Sequence, residues 1–220
     1  NKLFYNSARK DFETREKTGV KIEIISKNEI NDVEPNINNI FYKGALFKGS
    51  YFAKNPKKIS EKLLQLFIEK GGNFKKEKID EIKILDTNKV NIHTNENTYT
   101  YDRIVICAGV WSKKLTDKLG ENIPLASERG YHLMYPHPEN SISRPIAWQE
   151  RGVYFTPMQD GLRAGGVVEL GGNSSEISSK VVSYLKRATE AVFPNINNHL
   201  SEWVGFRPSV PDSLPVIGQS

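Results

Sequence analysis

The chain has 220 residues, of which 38% are hydrophobic and 10% aromatic, so it is long enough for packed domains and too apolar for wholesale disorder. Its net charge of +5 is uneven, because residues 1–118 hold 23 Lys and Arg against 16 Asp and Glu, while residues 119–220 hold 8 against 10. The lysines lie in scattered pairs and not in one patch with interleaved aromatic residues, which argues against a nucleic-acid-binding surface.

Cysteine usage and hydropathy indicate the compartment. Cys107 is the one cysteine, so no intramolecular disulfide can form and a reducing compartment fits. No run of 18 apolar residues and no signal peptide occur in this sequence. We therefore expect a cytoplasmic location, with peripheral contact at the inner face of a membrane as the alternative. Because the first residue is Asn1 and not Met, we also expect that further sequence precedes it.

The first 72 residues predict, in chain order, a helix, a strand, a short helix and a longer helix. A helix over residues 1–18 closes at Gly19, alternating apolar residues predict a strand over residues 20–25, and a short helix ends before Pro35. Asn55 and Pro56 are a typical N-cap and first helical residue. Apolar side chains then recur at helical spacing up to the glycine pair at residues 71–72, which predicts an amphipathic helix.

Strands dominate the next stretch. Alternating residues around Ile82, Val90 and Tyr99 predict a small antiparallel meander. Residues 104–108 are apolar without alternation and are followed by Gly109, a pattern typical of a strand buried on both faces of a parallel sheet. The first half of the chain is therefore predicted to be α/β.

The second half has the pattern of an α+β layer. Residues 151–169 predict two strands around a turn at residues 159–161. A helix is predicted to begin at the Ser178–Ser179 pair and to end before Pro194. We expect a domain boundary near residues 112–124.

No pattern of a known metal or nucleophilic centre occurs: the sequence has no G-x-S-x-G, no P-loop and no G-x-G-x-x-G. His132 and His137 flank Pro136 and are predicted to lie on a loop. The histidines lack the companion spacing of metal ligands; they are His93, His132, His137 and His199. Cys107, in the middle of a predicted strand, is interpreted as a small apolar residue and not as a nucleophile. No metal site and no catalytic acid–base pair is predicted.

Arg207 is the strongest candidate for ligand binding. Trp203 and Phe206 precede it and Pro208 follows it, so the guanidinium is held by rigid neighbours. Such an arginine suits two-pronged binding of a carboxylate; the alternative is a surface ion pair that contributes little. Tyr154 has two open interpretations, as filler of a strand core or as a phenol donor to the same anion.

One long stretch and several shorter ones cover almost the whole chain. The long one, residues 203–218, has the pattern W-x-G-x-R-P-x-x-P-D-x-x-P-V-I-G. The shorter ones are Glu34-Pro35 and residues 55–72, 104–112, 128–132, 153–157 and 161–166. In this order they resemble the FAD-dependent amino acid oxidase/dehydrogenase family of the D-amino acid oxidase, glycine oxidase and D-amino acid dehydrogenase type.

The resemblance implies a domain plan and a set of contacts. Residues 1–118 would form part of a Rossmann-like FAD-binding domain, residues 119–203 a mixed-sheet substrate domain, and residues 204–220 the return into the FAD domain. Arg207 would hold the substrate α-carboxylate, assisted by Tyr154. The residues that would contact FAD are Ile79, Cys107, Ala108, Gly109, Pro215, Val216, Ile217 and Gly218.

The implied reaction is oxidation of the Cα–N bond of a small amino acid, in the first instance a D-amino acid, by hydride transfer to FAD. The resulting imine would hydrolyse to a keto acid and an amine. The electron acceptor, oxygen or a respiratory carrier, stays open. The alternatives within the class are a glycine or sarcosine oxidase and a cyclic imino acid dehydrogenase. The alternative of another class is a non-catalytic flavin-fold subunit of a heteromeric dehydrogenase.

Two family elements are missing from this sequence. These are the N-terminal G-x-G-x-x-G strand–turn–helix and the glycine-rich helix after residue 218. Because the dinucleotide pyrophosphate binds at such a helix N-terminus, we expect that the 220-residue segment alone does not retain FAD tightly and is inactive.

Overall fold

The computed structural model describes residues 2–87, 89–136, 142–170, 172–196 and 198–218. His137, one of the two histidines predicted to lie on a loop, is outside the described residues. The α-helices are α1 (Lys2–Lys17), α2 (Lys27–Val33), α3 (Pro56–Glu69), α4 (Ser112–Thr116) and α5 (Ser179–Val192). The strands are β1 (Ile22–Ser26), β2 (Lys43–Phe47), β3 (Ile79–Ile84), β4 (Val90–Thr94), β5 (Thr98–Tyr101), β6 (Ala126–Tyr135), β7 (Ile146–Trp148), β8 (Val153–Met158), β9 (Gly161–Leu170) and β10 (Ser201–Ser209). The predicted fold class, with helices and sheets in both halves, is confirmed.

The chain divides into two compact units. The first consists of Asn1–Lys58, Gly130–Val167 and Glu176–Val204, and the second of Ile59–Arg129, Val168–Ser175 and Gly205–Ser220. Each unit is therefore assembled from three separate segments of the chain. The domain plan with boundaries after residues 118 and 203 stays a prediction.

Local signals in the first unit act as the sequence predicts. Gly19, with φ of +87°, follows the end of α1, and α2 begins with a complete capping box between Ser26 and Glu29. The Ser26 oxygen accepts from the Glu29 amide, while the Glu29 carboxylate accepts from the Ser26 amide. Strands β1 and β2 then pair antiparallel, with Ile24 opposite Ala45.

The main core lies in the first unit and packs α5 against a sheet of order β10-β6-β9-β8-β7. Along β8 the side chains alternate, so that Val153 and Phe155 are fully buried while Tyr154 is about half exposed. From α5, Leu185 and Val192 enter the same core with no exposed surface. The predicted hairpin and the predicted helix of the second half are both confirmed, although the Ser178 side chain makes no capping hydrogen bond.

The second unit contains the predicted meander, in which β4 pairs with β3 and β5 in antiparallel register. Its buried side chains are fewer, and Ile82 and Val90 are the ones the meander contributes. The predicted helix α3 is also confirmed, and the Asn55 side chain caps it by accepting from the Lys58 amide at 3.0 Å. However, α3 fully buries none of its residues, and Leu63, Phe67 and Ile68 are at least half exposed.

Two predictions are wrong. Residues 104–108 form no strand: no strand in the described ranges pairs with them, and Val105 is 82% exposed. An apolar run predicts a buried strand only if neighbouring strands supply its backbone hydrogen bonds, and the described chain supplies none. His132 does not lie on a loop but in β6, because the strand continues to Tyr135 before Pro136. Within the described residues, no helix has the length and apolarity needed to cross a membrane.

Candidate functional site

Arg207 lies in β10, next to β6 in the sheet, and its guanidinium faces Glu128 of β6. The Arg207 Nη1 atom is 3.6 Å from the Glu128 Oε2 atom, which is an ion pair but too long for a hydrogen bond. The Arg207 side chain is 66% exposed and that of Glu128 is 28% exposed. The guanidinium is therefore accessible, and a ligand can displace its present weak contact.

The residues beside Arg207 fix the position of the backbone but do not cover the guanidinium. Phe206 packs edge-on against Trp111, with ring centroids 6.2 Å apart and planes at 84°. Beyond the strand, the Asp212 carboxylate accepts from the Leu214 amide and Ser213 adopts a left-handed φ of 59°. Arg207 thus lies in a strand next to an aromatic residue that is packed in place.

Glu128 and its neighbour Arg129 serve different faces of β6, since successive side chains of a strand point in opposite directions. Arg129 is nearly buried, and its Nη1 atom lies 3.0 Å from the Glu169 Oε2 atom. Glu128 is directed toward Arg207 instead. The two ion pairs are therefore separate, and the Arg207 pair is the more exposed one.

Tyr154, the second predicted substrate residue, belongs to the first unit and is 46% exposed. It lies opposite Gly165 and Ala147 on the neighbouring strands. Gly166 leaves space for its ring, because a methyl group there would lie 2.5 Å from the Tyr154 ring. Since its neighbours Val153 and Phe155 fill the core while Tyr154 is 46% exposed, the interpretation of Tyr154 as core filler is wrong.

The first unit also contains a neutral histidine. The His132 ring stacks on Trp203, with centroids 4.7 Å apart and planes at 22°. Burial lowers the pKa of His132 to about 4, assisted by the positive charge of Arg163. At neutral pH this imidazole is therefore uncharged and presents hydrogen-bonding nitrogens without a charge.

The segment predicted to contact FAD around Cys107 is open. Cys107 is exposed, and the adjacent Ala108 amide donates to the Ser112 hydroxyl at 3.0 Å. Gly109 has a φ of +57°, and a methyl group added there would meet no atom of the described residues within 4 Å. The glycine and the space beside it fit the close approach of a flat cofactor.

The other predicted cofactor residues also present apolar surface. Ile79, at the start of β3, is 39% exposed, while Val216 and Ile217 are 58% and 91% exposed. Like the segment around Cys107, they belong to the second unit. Exposed apolar side chains of this kind are available to contact a cofactor. The FAD contacts of the individual residues stay predictions.

A separate shallow cavity of about 370 Å³ lies in the second unit, between Lys113, Lys114 and Ser127. None of the predicted substrate or cofactor residues lines it. In the described ranges, no cluster of three or more His, Cys, Asp or Glu side chains could hold a metal ion.

Sequence reasoning did not single out Glu128. It stands in the motif at residues 128–132, but no local pattern connects it with Arg207, which lies far away in the chain. Only the pairing order of β10 and β6 brings the two charges together. A covarying pair of opposite charges in related sequences is the signal that would find it.

Comparison with known proteins gives one family. A family model described as "FAD dependent oxidoreductase", DAO, matches residues 3–220. A curated protein named D-amino-acid oxidase, from Bradyrhizobium diazoefficiens, is 28% identical over 94% of this chain and 50% of its own length. One named D-amino acid dehydrogenase, from Neisseria gonorrhoeae, is 27% identical over 97% of this chain and 53% of its own length.

The solved structures agree on the fold. The structure of glycine oxidase from Geobacillus kaustophilus superposes with a TM-score of 0.83 over 100% of this chain and 60% of its own, at 16% identity. The chain thus spans about half the length of the curated relatives it matches. Since the family model covers nearly every residue, the chain belongs to the DAO family of FAD-dependent oxidoreductases.

Proposed function

We propose that the protein oxidises the Cα–N bond of a small amino acid, with FAD as cofactor, and that this amino acid is a D-amino acid. The observation that carries the proposal is the accessible Arg207 guanidinium, which is held in a strand and forms a weak ion pair with Glu128. The names of the two curated relatives, D-amino-acid oxidase and D-amino acid dehydrogenase, support the choice of substrate.

Arg207 binds and orients the substrate in this proposal. A planar guanidinium pairs with a carboxylate through two parallel hydrogen bonds, which fix direction as well as distance. The resemblance also implies a role for Tyr154, whose O–H would assist in holding the substrate carboxylate. Holding the carboxylate at fixed points leaves the Cα–H bond in one orientation, and positioning of this kind is the main contribution of a protein to cofactor chemistry.

The residues that would hold FAD are Ile79, those at 107–109 and those at 215–218, all in the second unit. When bound, FAD supplies the chemistry of accepting a hydride from the substrate Cα. Exposed apolar side chains such as Ile217 would cover part of the cofactor surface and exclude water from it. The open backbone at Gly109 would permit close contact.

Replacing Arg207 tests the proposal in the product of the complete gene, purified with its flavin. Because Arg207→Ala removes a charge-assisted hydrogen-bonded pair, we expect it to weaken transition-state binding by about 2–4 kcal/mol, which lowers kcat/KM roughly 30-fold to 1000-fold. Arg207→Lys keeps the charge but loses the two-pronged geometry, so it should recover only part of this loss. Arg187→Ala, at an exposed position of α5, is the matched control and should leave kcat/KM unchanged.

Kinetics of Arg207→Ala equal to those of the parent would remove Arg207 from the substrate site. A screen of D-amino acids, glycine, sarcosine and cyclic imino acids with a dye acceptor, with and without oxygen, separates the alternatives within the class. A flavin-loaded protein that turns over none of these substrates would instead favour the non-catalytic subunit.

A further inference from the structure

Two opposite charges face each other at the predicted substrate site. The Arg207 guanidinium and the Glu128 carboxylate are 3.6 Å apart, and both are reachable by solvent. An amino acid is a zwitterion whose carboxylate and ammonium are separated by two bonds, so it carries the same two charges at a similar spacing. We propose that Glu128 binds the substrate ammonium while Arg207 binds the carboxylate, and that this makes the site selective for zwitterions. The inference rests on the function proposed above.

Charge balance gives the physical reason. In the free site the two side chains neutralise each other across a contact too long for a hydrogen bond. A zwitterion that enters the pair gives each of them a new partner, and the total charge of the site does not change. A ligand with a carboxylate alone takes Arg207 from Glu128 and places a second negative charge beside it. Like charges at such a distance repel, so the site rejects this ligand.

The unequal exposure of the pair adds to the selection. Glu128 is 28% exposed, so it recovers little hydration when it loses its partner, whereas Arg207, at 66%, recovers more. Arg129, the cation next to Glu128 in the sequence, is directed to the other face and pairs with Glu169. Arg207 is thus the cation that the described ion pairs assign to Glu128.

Two isosteric ligands test the inference without turnover. 2-Aminoisobutyrate carries an ammonium group where pivalate carries a methyl group, and neither has a hydrogen on Cα, so neither can be oxidised there. Their affinities for the flavin-loaded product of the complete gene are measured by calorimetry and by the change in flavin absorbance. We expect the parent protein to bind 2-aminoisobutyrate at least about tenfold more tightly than pivalate.

Variants at residue 128 should change this preference in a defined way. Glu128→Gln has nearly the same shape without the charge, so it should weaken 2-aminoisobutyrate about tenfold, leave pivalate unchanged or tighter, and abolish the preference. Glu128→Asp keeps the charge and should retain a preference for the zwitterion. Glu202→Gln, at a similarly exposed glutamate of β10 that pairs with His199, is the control and should leave both affinities unchanged.

The outcomes separate this inference from the proposed function. If Arg207→Gln weakens both ligands but Glu128→Gln weakens them equally, the selectivity role of Glu128 is overturned and the carboxylate role of Arg207 stands. A parent protein that shows no preference between the ligands also overturns the inference. If neither ligand depends on Arg207, the proposed function itself fails.

Discussion

Glu34, just before Pro35, is a buried carboxylate whose removal should measurably destabilise the first unit. Its side chain is 6% exposed and accepts three kinds of hydrogen bond. The donors are the Ser143 amide at 3.0 Å, the Ser143 hydroxyl at 2.5 Å and the Arg144 Nε atom at 3.2 Å. This carboxylate therefore connects the end of α2 with a segment more than 100 residues away, and Glu34→Ala removes the connection.

The size of the effect follows from these contacts. Hydrogen bonds to a charged group contribute about 1.5–3 kcal/mol each, but the cost of burying the carboxylate offsets part of that sum. Arg144 is 45% exposed and can return to water, whereas the Ser143 donors lose their acceptor. We therefore expect Glu34→Ala to lower the free energy of unfolding by about 2–3 kcal/mol, or Tm by roughly 5–10 °C.

Equilibrium urea unfolding, followed by tryptophan fluorescence and circular dichroism, measures this loss. A double-mutant cycle with Ser143→Ala should give a coupling of about 1–2 kcal/mol, because the two residues are in direct contact. Glu23→Gln, in an exposed pair with Lys48, is the control and should change stability by less than about 0.5 kcal/mol. A loss below about 1 kcal/mol for Glu34→Ala, with no coupling, would refute the reasoning.

Two further predictions follow from backbone geometry and from titration. Gly166→Ala should lower the free energy of unfolding by about 2–3 kcal/mol and displace the Tyr154 ring, because Gly166 has φ of +123° and the new methyl group would overlap that ring and the Gly152 carbonyl oxygen. Thermal unfolding and near-UV dichroism measure the two effects. An equal loss for Gly130→Ala, where no described atom lies within 4 Å, would contradict the prediction. His132 binds its proton near pH 6.5 when unfolded but only near pH 4 when folded, so stability should fall as pH decreases through this window. Because the ring keeps some solvent contact, we expect the free energy of unfolding to fall by about 1–2 kcal/mol between pH 7 and pH 4. Urea unfolding over this range should show the decrease in the parent protein and a smaller decrease in His132→Phe. The same dependence of stability on pH in both proteins would exclude His132 as its source.

Local chemistry explains why much of the secondary structure could be predicted. The Ser26 and Asn55 caps satisfy backbone donors within three residues, so their signals do not depend on the rest of the fold. The alternation in β8 likewise contains the information that Val153 and Phe155 face the core. In this strand, however, the same pattern could not decide what Tyr154 does on the other face.

Nonlocal pairing explains the failures. An apolar run such as residues 104–108 has the composition of a buried strand whether or not neighbouring strands are present, and the described chain provides none. His132 lies inside β6 because the strand continues past it, and Leu133 and Tyr135 bury their side chains on the face opposite to His132. The nearby proline predicts a loop because it gives no information about this burial. The contact between Glu128 and Arg207 depends on strand order, and no local signal encodes strand order.

The exposed thiol of Cys107 has a practical consequence. Because it is the one cysteine among these 220 residues, a maleimide dye or a fluorinated tag attaches to this segment at a single known position without any substitution. That position lies in the segment that we propose contacts FAD, two residues before Gly109. The protein thus carries its own attachment point for a spectroscopic reporter where flavin occupancy is expected to change the surroundings.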